Sequence, residues 1–371
     1  MRFIHMADVH FDSPFTVLTS KRDFATKRRL EQREAFRKSI EYIAKEKVPY
    51  LLIAGDLYDQ NYVRESTIEF INNLFKTIPD TKIFISPGNH DPFLKNSFYN
   101  TFKWSDNVII FDEEIKRIEL EEVDIYGYGF NDFYCSNSKV EEIEIKNKNK
   151  LNILLVHGAL DSSKSIDIQY NSISTNKLKE IGFDYIALGH IHKRTEENKN
   201  NFIYPGSMIS FGFDELGEHG MLDIIIQKNN ENKIINNLDN EKINKIKINF
   251  IKLDNRIFEE KELNISEINS QEELIEKINL IKINNSNFYK IILIGKRNIE
   301  IKLNIICKLI ENENVLKIED KTETKYDFDK LASQKNLKGI FVRKILGKLS
   351  DESFNKEEIE KAIEIGLKSF E

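Results

Sequence analysis

The chain has 371 residues, of which 31% are charged and 40% hydrophobic, and its formal net charge is −6. This composition is typical of a globular protein with a sizeable core, and no apolar run reaches the length of a membrane span. The acidic balance disfavours a protein that binds DNA mainly by neutralising phosphates, although it permits an enzyme that meets phosphate through bound cations. Cys135 and Cys307 lie far apart with no CxxC spacing, and the N-terminus carries no signal-peptide pattern. These features predict a cytoplasmic protein.

Strands and helices alternate over the first two hundred residues. Apolar runs predict strands at 2–8, 50–56, 82–88, 124–128, 151–158 and 185–189, and helical spacing predicts helices at 22–46, 64–78 and 174–182. Further strands are expected at 202–204 and 221–226, around a glycine-rich turn. This alternation predicts a layered α/β fold for residues 1–227.

The rest of the chain divides into three predicted segments. Residues 228–248 are polar and rich in Asn and Lys, which indicates a linker or mobile hairpin. Residues 249–325 predict a small α+β accessory domain, with strands near 249–253, 289–295 and 315–320 and helices near 270–282 and 299–312. Residues 326–371 predict helices at 327–349 and 355–371. The last helix is amphipathic, and packing on its own module is favoured over partner binding; its apolar face comprises Ile359, Ala362, Ile363 and Leu367.

Five of the predicted strands end in polar residues that can bind metals. Five of the seven histidines lie at such ends, which independent loop histidines would rarely do. The carboxyl ends of strands in open α/β sheets are where ligands bind. His190 and His192 lie one residue apart, so an extended chain points both to the same side. The residues at the five strand ends are Asp8, His10, Asp56, Asn89, His90, Asp91, His157, His190 and His192.

The mixture of imidazoles, carboxylates and one amide predicts a site for manganese, iron or zinc. So many ligands are too many for one ion but suit two. Two ions about 3.5–4 Å apart need a shared carboxylate, and Asp56 is the best candidate because it lies between the two ligand groups in sequence. Such a pair binds phosphate oxygens and lowers the pKa of a bridging water towards ~7.

The motifs DVH, GDLYD, GNHD, VHG and GHIH occur in this order, and the series resembles the calcineurin-like metallophosphoesterases. The flanking stretches FIHMADVHFDSPF, FDYIALGHIHK and YPGS resemble the SbcD- and YhaO-type DNA-repair exonuclease subunits. The resemblance covers residues 1–227 firmly and the C-terminal part loosely. It implies a β-sandwich flanked by helices, followed by a small α+β domain and C-terminal helices.

The resemblance also implies a role for each motif residue. His90 would assist the leaving group as a general acid or cation, and Asp91 would orient the His90 ring. Manganese is the implied metal, with iron and zinc left open. One ion would be held by Asp8, His10, Asp56 and His192, and the other by Asp56, Asn89, His157 and His190.

The implied function is a metal-dependent DNA nuclease, an exonuclease with endonuclease activity left open, acting in DNA repair. Its implied partners are DNA, a second copy of the chain and an SMC-like coiled-coil ATPase of the SbcC or YhaN type. No GxxxxGK[ST] motif occurs, so any ATP dependence is assigned to the partner, which residues 327–371 are expected to dock. The alternatives are a phosphoesterase that acts on nucleotides or other small molecules with the same dimetal site, and a scaffold without catalysis.

Other polar residues have simpler expected roles. His5 is expected in the core and His219 on a solvated turn. For Asp12 and Asp59, support of the metal site and an ordinary turn position both stay open. The arginines of the first helix are expected on an exposed face rather than in a phosphate-binding stripe; they are Arg28, Arg29, Arg33 and Arg37.

Overall fold

The computed structural model describes residues 1–15, 22–136, 138–161, 170–195, 201–227, 245–350 and 355–370. The chain forms two compact units, Met1–Glu259 and Glu260–Glu371. Residues 228–244 of the predicted linker lie outside the described residues. Within the described parts, no helix combines the length and the apolar character needed to cross a bilayer.

The first unit contains two sheets and the helices that accompany them. Its elements are β1 (Arg2–Met6), α1 (Arg22–Glu46), β2 (Tyr50–Ile53), α2 (Glu65–Phe75), β3 (Lys82–Ile85), α3 (Phe98–Thr101), β4 (Val108–Ile110), β5 (Lys116–Glu119), β6 (Val123–Gly127), β7 (Leu151–His157), α4 (Thr175–Ile181), β8 (Tyr185–Gly189), β9 (Phe202–Ile203), β10 (Gly220–Gln227) and β11 (Lys245–Lys252).

The first sheet has the strand order β11-β10-β1-β2-β3-β4, and the second has the order β5-β6-β7-β8-β9. Strands β1 to β4 are parallel to one another, and so are β6 to β9. Strand β5 pairs antiparallel with β6, and β10 pairs antiparallel with both β1 and β11. Parallel strands place their carboxyl ends on one edge, so each sheet has one edge at which the following loops gather.

The two sheets pack face to face around one apolar core. Phe3, Leu52 and Phe84 of the first sheet share this core with Ile153 and Ala187 of the second. Helix α1 lies against the first sheet, because its Tyr42 and Glu46 side chains bond to Asp223 and Arg2 of the strands. The expected β-sandwich flanked by helices is confirmed.

Strand β11 begins earlier than the strand predicted near residues 249–253 and belongs to the first sheet. It pairs with β10 over its whole length. Ile246, Ile248 and Phe250 alternate along it and pack on the core between the sheets. An apolar period of two facing that core explains why the strand joins the sandwich.

The second unit contains a three-stranded sheet with the order β12-β13-β15 and a two-stranded sheet of β14 and β16. Helices α5 and α6 contribute Leu274, Ile278 and Ile306 to the core on the larger sheet. The elements are β12 (Phe258–Asn264), which begins in the first unit, α5 (Gln271–Asn279), β13 (Phe288–Ile294), β14 (Lys296–Arg297), α6 (Leu303–Leu309), β15 (Val315–Asp320), β16 (Glu323–Thr324), α7 (Phe328–Ser333), α8 (Leu337–Leu346) and α9 (Lys356–Lys368).

The single helix predicted at 327–349 is two helices, α7 and α8. The first ends at Ser333. Asn336 caps the second, because its side chain accepts a hydrogen bond from Gly339 N at 2.9 Å. Helix α9 packs on α8 through its predicted apolar face, on which Ile359, Ile363 and Leu367 are buried with Val342. Ala362, predicted on the same face, is exposed.

Candidate metal centre

Side chains from the carboxyl ends of five parallel strands meet at one point in the first unit. The first sheet contributes residues that follow β1, β2 and β3, and the second contributes the last residue of β7 and residues that follow β8. Three overlapping sets of side chains have potential ligand atoms within 4.8 Å of one another. These sets are Asp8, His10 and His192; His10, Asp56 and His90; and Asp8, Asp56 and His157.

Backbone conformation directs several of these side chains inward. Asp8, His10, Asp56 and His190 have positive φ angles of 52°, 51°, 53° and 105°. Residues other than glycine seldom adopt such angles, and they cluster at functional sites where the surroundings enforce them. Here the loops after β1 and β2 hold each other, because His10 N donates to Asp56 O at 2.8 Å.

The first group surrounds His10. Its Nε2 atom lies 3.1 Å from His192 Nε2 and 3.5 Å from Asp56 Oδ2. Asp8 lies beside them, fully buried, and both of its carboxylate oxygens accept from His190 N, at 3.0 and 3.1 Å. Two imidazole nitrogens and two carboxylates therefore face one another across a few ångströms.

The second group surrounds His157, which is fully buried. Its Nε2 atom lies 2.9 Å from Asn89 Oδ1 and 3.4 Å from Asp56 Oδ2. The His190 ring lies against it, with centroids 5.3 Å apart. Asp56 Oδ2 is thus within 3.5 Å of an imidazole nitrogen from each group, which is the position that was expected for a shared carboxylate.

The potential ligand atoms converge in the way that the ligands of a cation do. His157 Nδ1 lies 2.9 Å from Ala54 O, which only accepts, so the ring carries its proton on Nδ1. The lone pair on Nε2 then points towards Asn89 Oδ1, which is also an acceptor. Acceptors that converge without a proton between them suit a cation, and imidazole with carboxylate suits divalent manganese, iron or zinc. The residues present therefore fit divalent metal ions.

His90 stands at the solvent side of these groups. Its side chain is 46% exposed, and Nδ1 lies 3.5 Å from Asp59 Oδ2. The His90 and His10 rings meet edge to face, with centroids 4.8 Å apart. An exposed imidazole beside buried ligand atoms is placed to reach a bound molecule.

A family model described as calcineurin-like phosphoesterase matches residues 1–194, which is just over half of the chain. The chain belongs to this family. Its members are hydrolases that act on phosphoester bonds and bind divalent metals, so the match confirms the resemblance seen in the strand-end motifs.

Three relatives of this metallophosphoesterase are 25–28% identical to it over the aligned residues. YhaO, a metallophosphoesterase of Bacillus subtilis, is 28% identical over 231 residues, or 59% of this chain and 56% of YhaO. The SbcD component of the nuclease SbcCD from Staphylococcus epidermidis is 25% identical over 270 residues, 62% of this chain and 67% of SbcD. The DNA double-strand break repair protein Mre11 of Methanocaldococcus jannaschii is 28% identical over 221 residues, 56% of each. The chain thus matches between about half and two thirds of the length of these relatives.

Burial and neighbouring charges shift the pKa values of the two aspartates at the metallophosphoesterase site in opposite directions. Burial raises the pKa of Asp8 to about 6. Burial also acts to raise the pKa of Asp56, but the charges of His157 and His10 outweigh it and lower that pKa. Burial lowers the pKa of His10 well below its usual value. An ionised Asp56 is the form of this carboxylate that metal binding requires.

The carboxylate of Asp91, which was predicted to orient His90, forms its hydrogen bonds with other groups. It is fully buried, and its carboxylate accepts from the backbone N–H groups of Asp56, Leu57 and Gly88 at 3.0, 2.6 and 2.6 Å. It also accepts from the Tyr99 hydroxyl at 2.6 Å. Three amide donors and a hydroxyl saturate a carboxylate, so Asp91 joins the loops after β2 and β3.

The carboxylate that faces the His90 ring is Asp59, one of the residues whose role the sequence left open. Burial lowers the pKa of His90, but Asp59 together with the charge of Asp56 outweighs it and raises the pKa to about 9. Asp59 therefore favours the charged form of the ring.

Sequence reasoning missed Glu215 and assigned His219 to a solvated turn. Both are buried. Glu215 Oε1 lies 2.6 Å from His192 Nδ1, and His219 Nδ1 lies 2.9 Å from the hydroxyl of Ser207. Burial lowers the pKa of His192, but the bond to Glu215 and the charge of Asp8 outweigh it and raise the pKa to about 9. The only local indication was a carboxylate and a histidine in the short segment DELGEHG.

Two residues outside the site had been given expected positions. His5 lies in the core as expected, with Nδ1 3.0 Å from the Tyr185 hydroxyl and Nε2 3.2 Å from Leu188 O. Arg28 was expected on an exposed helix face but is fully buried, because Asp254 pairs with both terminal nitrogens of its guanidinium.

Proposed function

We propose that the chain is a metal-dependent DNA nuclease that hydrolyses phosphodiester bonds with two divalent cations. The observation that carries the proposal is Asp56, whose Oδ2 atom lies 3.5 Å from His10 Nε2 and 3.4 Å from His157 Nε2. A carboxylate between two groups of imidazoles suits ions about 3.5–4 Å apart. One ion is assigned to Asp8, His10, Asp56 and His192, and the other to Asp56, Asn89, His157 and His190.

Manganese is the proposed metal because the family resemblance implies it, and oxygen and imidazole ligands without thiolate suit manganese, iron and zinc alike. When bound, such ions polarise phosphoryl oxygens and lower the pKa of a water towards about 7. Hydrogen bonds within the protein orient two of these ligands: Asp8 accepts from His190 N, and His157 donates to Ala54 O.

His90 is proposed as the residue that acts on the substrate directly. Its ring is exposed and lies beside the candidate ligands, and Asp59 and Asp56 favour its charged form. A cationic imidazole can stabilise charge on the phosphate and deliver a proton to the leaving oxygen. Asp59 holds the side of the ring that carries Nδ1 and leaves Nε2 for this task.

The names of two relatives support DNA as the proposed substrate. One is part of a nuclease and another is a double-strand break repair protein. We therefore propose exonuclease activity in DNA repair, in the cytoplasm, with endonuclease cleavage as a second mode. The net charge of −6 favours one alternative, a phosphoesterase that acts on nucleotides or other small molecules with the same site.

The proposed partners are a second copy of the chain and an SMC-like coiled-coil ATPase of the SbcC or YhaN type. A relative named as one component of the nuclease SbcCD supports a complex. Residues 326–371 are the proposed docking segment, and on α8 the side chains of Leu337 and Ile340 are 67% and 44% exposed. Light scattering of the chain, alone and mixed with an SbcC-type ATPase, tests both assemblies.

Two substrates separate the nuclease from the alternative. The purified chain with Mn²⁺ is incubated with end-labelled linear duplex DNA and, separately, with a nitrophenyl phosphate ester. The proposal expects DNA degradation that stops when the metal is chelated. Turnover of the ester alone, with the ATPase present, would refute the nuclease and leave the phosphoesterase.

His90→Ala tests the assignment of roles. We expect the rate of DNA hydrolysis to fall by about 10²–10⁴-fold, the usual contribution of a positioned general acid. The bound metal, counted by inductively coupled plasma mass spectrometry, is expected to stay at the native number. Loss of an ion together with activity would make His90 a ligand, which its place beside His10 and Asp56 also permits geometrically.

A further inference from the structure

The carboxylate of Glu215 lies directly behind one candidate ligand. Its Oε1 atom is 2.6 Å from His192 Nδ1, and the residue is only 8% exposed. The opposite nitrogen of the same ring, Nε2, points at His10 Nε2, 3.1 Å away. The His192 ring is therefore held between a buried carboxylate on one side and the candidate metal centre on the other.

The segment that carries Glu215 is folded so that its carboxylate cannot turn away. Glu215 Oε2 accepts from the Ser207 hydroxyl and from Phe211 N, both at 3.0 Å. Ser207 N donates to His192 O at 3.0 Å, so the segment holds the backbone of His192 as well as its ring. His219 closes the network, with Nδ1 2.9 Å from Ser207 Oγ and Nε2 2.9 Å from Glu215 O.

The two halves of the metal centre differ in the group that holds the histidine from behind. His157, in the other half, has Nδ1 2.9 Å from Ala54 O, a neutral backbone carbonyl. A carboxylate partner makes an imidazole a more basic ligand than a carbonyl does, and it fixes the tautomer and the ring orientation. His192 thus has the stronger support, and this support is provided by a side chain that can be changed.

We infer that Glu215 is a positioning residue that controls occupancy of one metal position, the one assigned to Asp8, His10, Asp56 and His192. This inference rests on the proposed two-metal function. It requires that loss of the carboxylate weakens the binding of one ion and leaves the binding of the other unchanged, because the second position has its own support at His157.

The test is a count of ions and their affinities, independent of catalysis. Mn²⁺ is titrated calorimetrically into native chain and into Glu215→Gln, which keeps the size of the side chain but removes its charge. We expect two ions in the native chain. In the variant one ion is expected to bind about 10–100-fold more weakly, the usual effect of removing a carboxylate that supports a metal-bound histidine. Electron paramagnetic resonance should show the coupled Mn²⁺ pair replaced by a single-ion signal.

Glu218→Gln is the matched control. It makes the same change three residues away in the same segment, where the carboxylate is exposed and pairs with Lys252 at 2.9 Å. Both ions are expected to bind this variant with native affinity. If Glu215→Gln is unfolded by circular dichroism, Glu215→Asp replaces it, because one methylene less moves the charge away from His192 Nδ1.

The outcomes separate this inference from the function on which it rests. A native chain that binds fewer than two Mn²⁺ ions refutes the two-metal function. A native chain with two ions and a Glu215 variant that binds both unweakened, or both weakened alike, overturns the role of Glu215 alone. Selective loss of one ion, with the control unchanged, supports it.

Discussion

Gly189→Ala is the substitution whose effect the structure defines most sharply. Gly189 ends β8 on the second sheet, beside His157 of β7. A Cβ atom there would lie 1.7 Å from Ala54 O, which follows β2 on the first sheet. Unbonded carbon and oxygen atoms stay about 3.3 Å apart, so the two strand ends would have to separate by about 1.6 Å.

Neither side of this contact can yield easily. Ala54 N donates to Met6 O at 2.9 Å, which ties it to β1, and Ala54 O bonds to His157 Nδ1. We expect a loss of about 3 kcal/mol, the upper end of the ordinary cost of overpacking a core. For a unit of this size that corresponds to a fall of about 6–12 °C in Tm.

The assay uses the only tryptophan of the chain, Trp104, which lies in the first unit. Its fluorescence during heating therefore reports the unit that contains Gly189. Gly182→Ala is the matched control, because Gly182 has a φ of 82° and no atom within 4 Å of the added Cβ. That variant should lose only about 1–2 kcal/mol of stability, which is the cost of placing a Cβ on a left-handed backbone. A Tm for Gly189→Ala equal to or above that of the control would refute the argument.

Two further changes test the core of the first unit by the same Trp104 fluorescence. Arg28→Leu removes the arginine that pairs with the buried carboxylate of Asp254, and it should lower the free energy of unfolding in urea by about 3–5 kcal/mol. The control Arg37→Leu removes an exposed ion pair and should change that free energy by less than about 1 kcal/mol. Similar losses in the two variants would contradict the burial of the Arg28–Asp254 pair. Burial lowers the pKa of His5 from 6.5 to about 3, so its contribution to stability is complete above pH 6.5 and is lost as the pH falls. Between pH 7.5 and 5 the free energy of unfolding of the metal-free chain should therefore fall by about 2 kcal/mol because of His5, and His5→Gln should remove that part of the pH dependence. If stability falls equally with pH in the variant and the native chain, the pKa of His5 is not lowered.

The strand-end pattern predicted the fold because its causes are local. Apolar runs that end at polar residues define parallel strands, and parallel strands bring their ends to one edge whatever the rest of the chain does. This is why residues as far apart as Asp8, Asp56 and His190 could be grouped from sequence alone. Their roles as metal ligands remain predictions that the proposed experiments test.

The errors share a different cause, which is that a partner distant in sequence decides the outcome. Arg28 is buried because it pairs with Asp254, a residue 226 positions further along the chain. Asp91 follows His90 in sequence, yet its carboxylate is taken by the amides of the loop after β2, 35 residues earlier. Glu215 reaches His192 across 23 residues. Local periodicity contains no information on such pairings, and a residue type alone does not reveal them.

The site also depends on the contact between the two sheets. Each proposed ligand set takes residues from both: Asp8 and Asp56 follow strands of the first sheet, whereas His157 and His192 come from the second. The distance of 3.4 Å between Asp56 Oδ2 and His157 Nε2 can be kept only if the sheets stay in register at their carboxyl ends. The absence of a side chain at Gly189 allows that approach, so the packing that stabilises the sandwich also sets the spacing of the proposed ions.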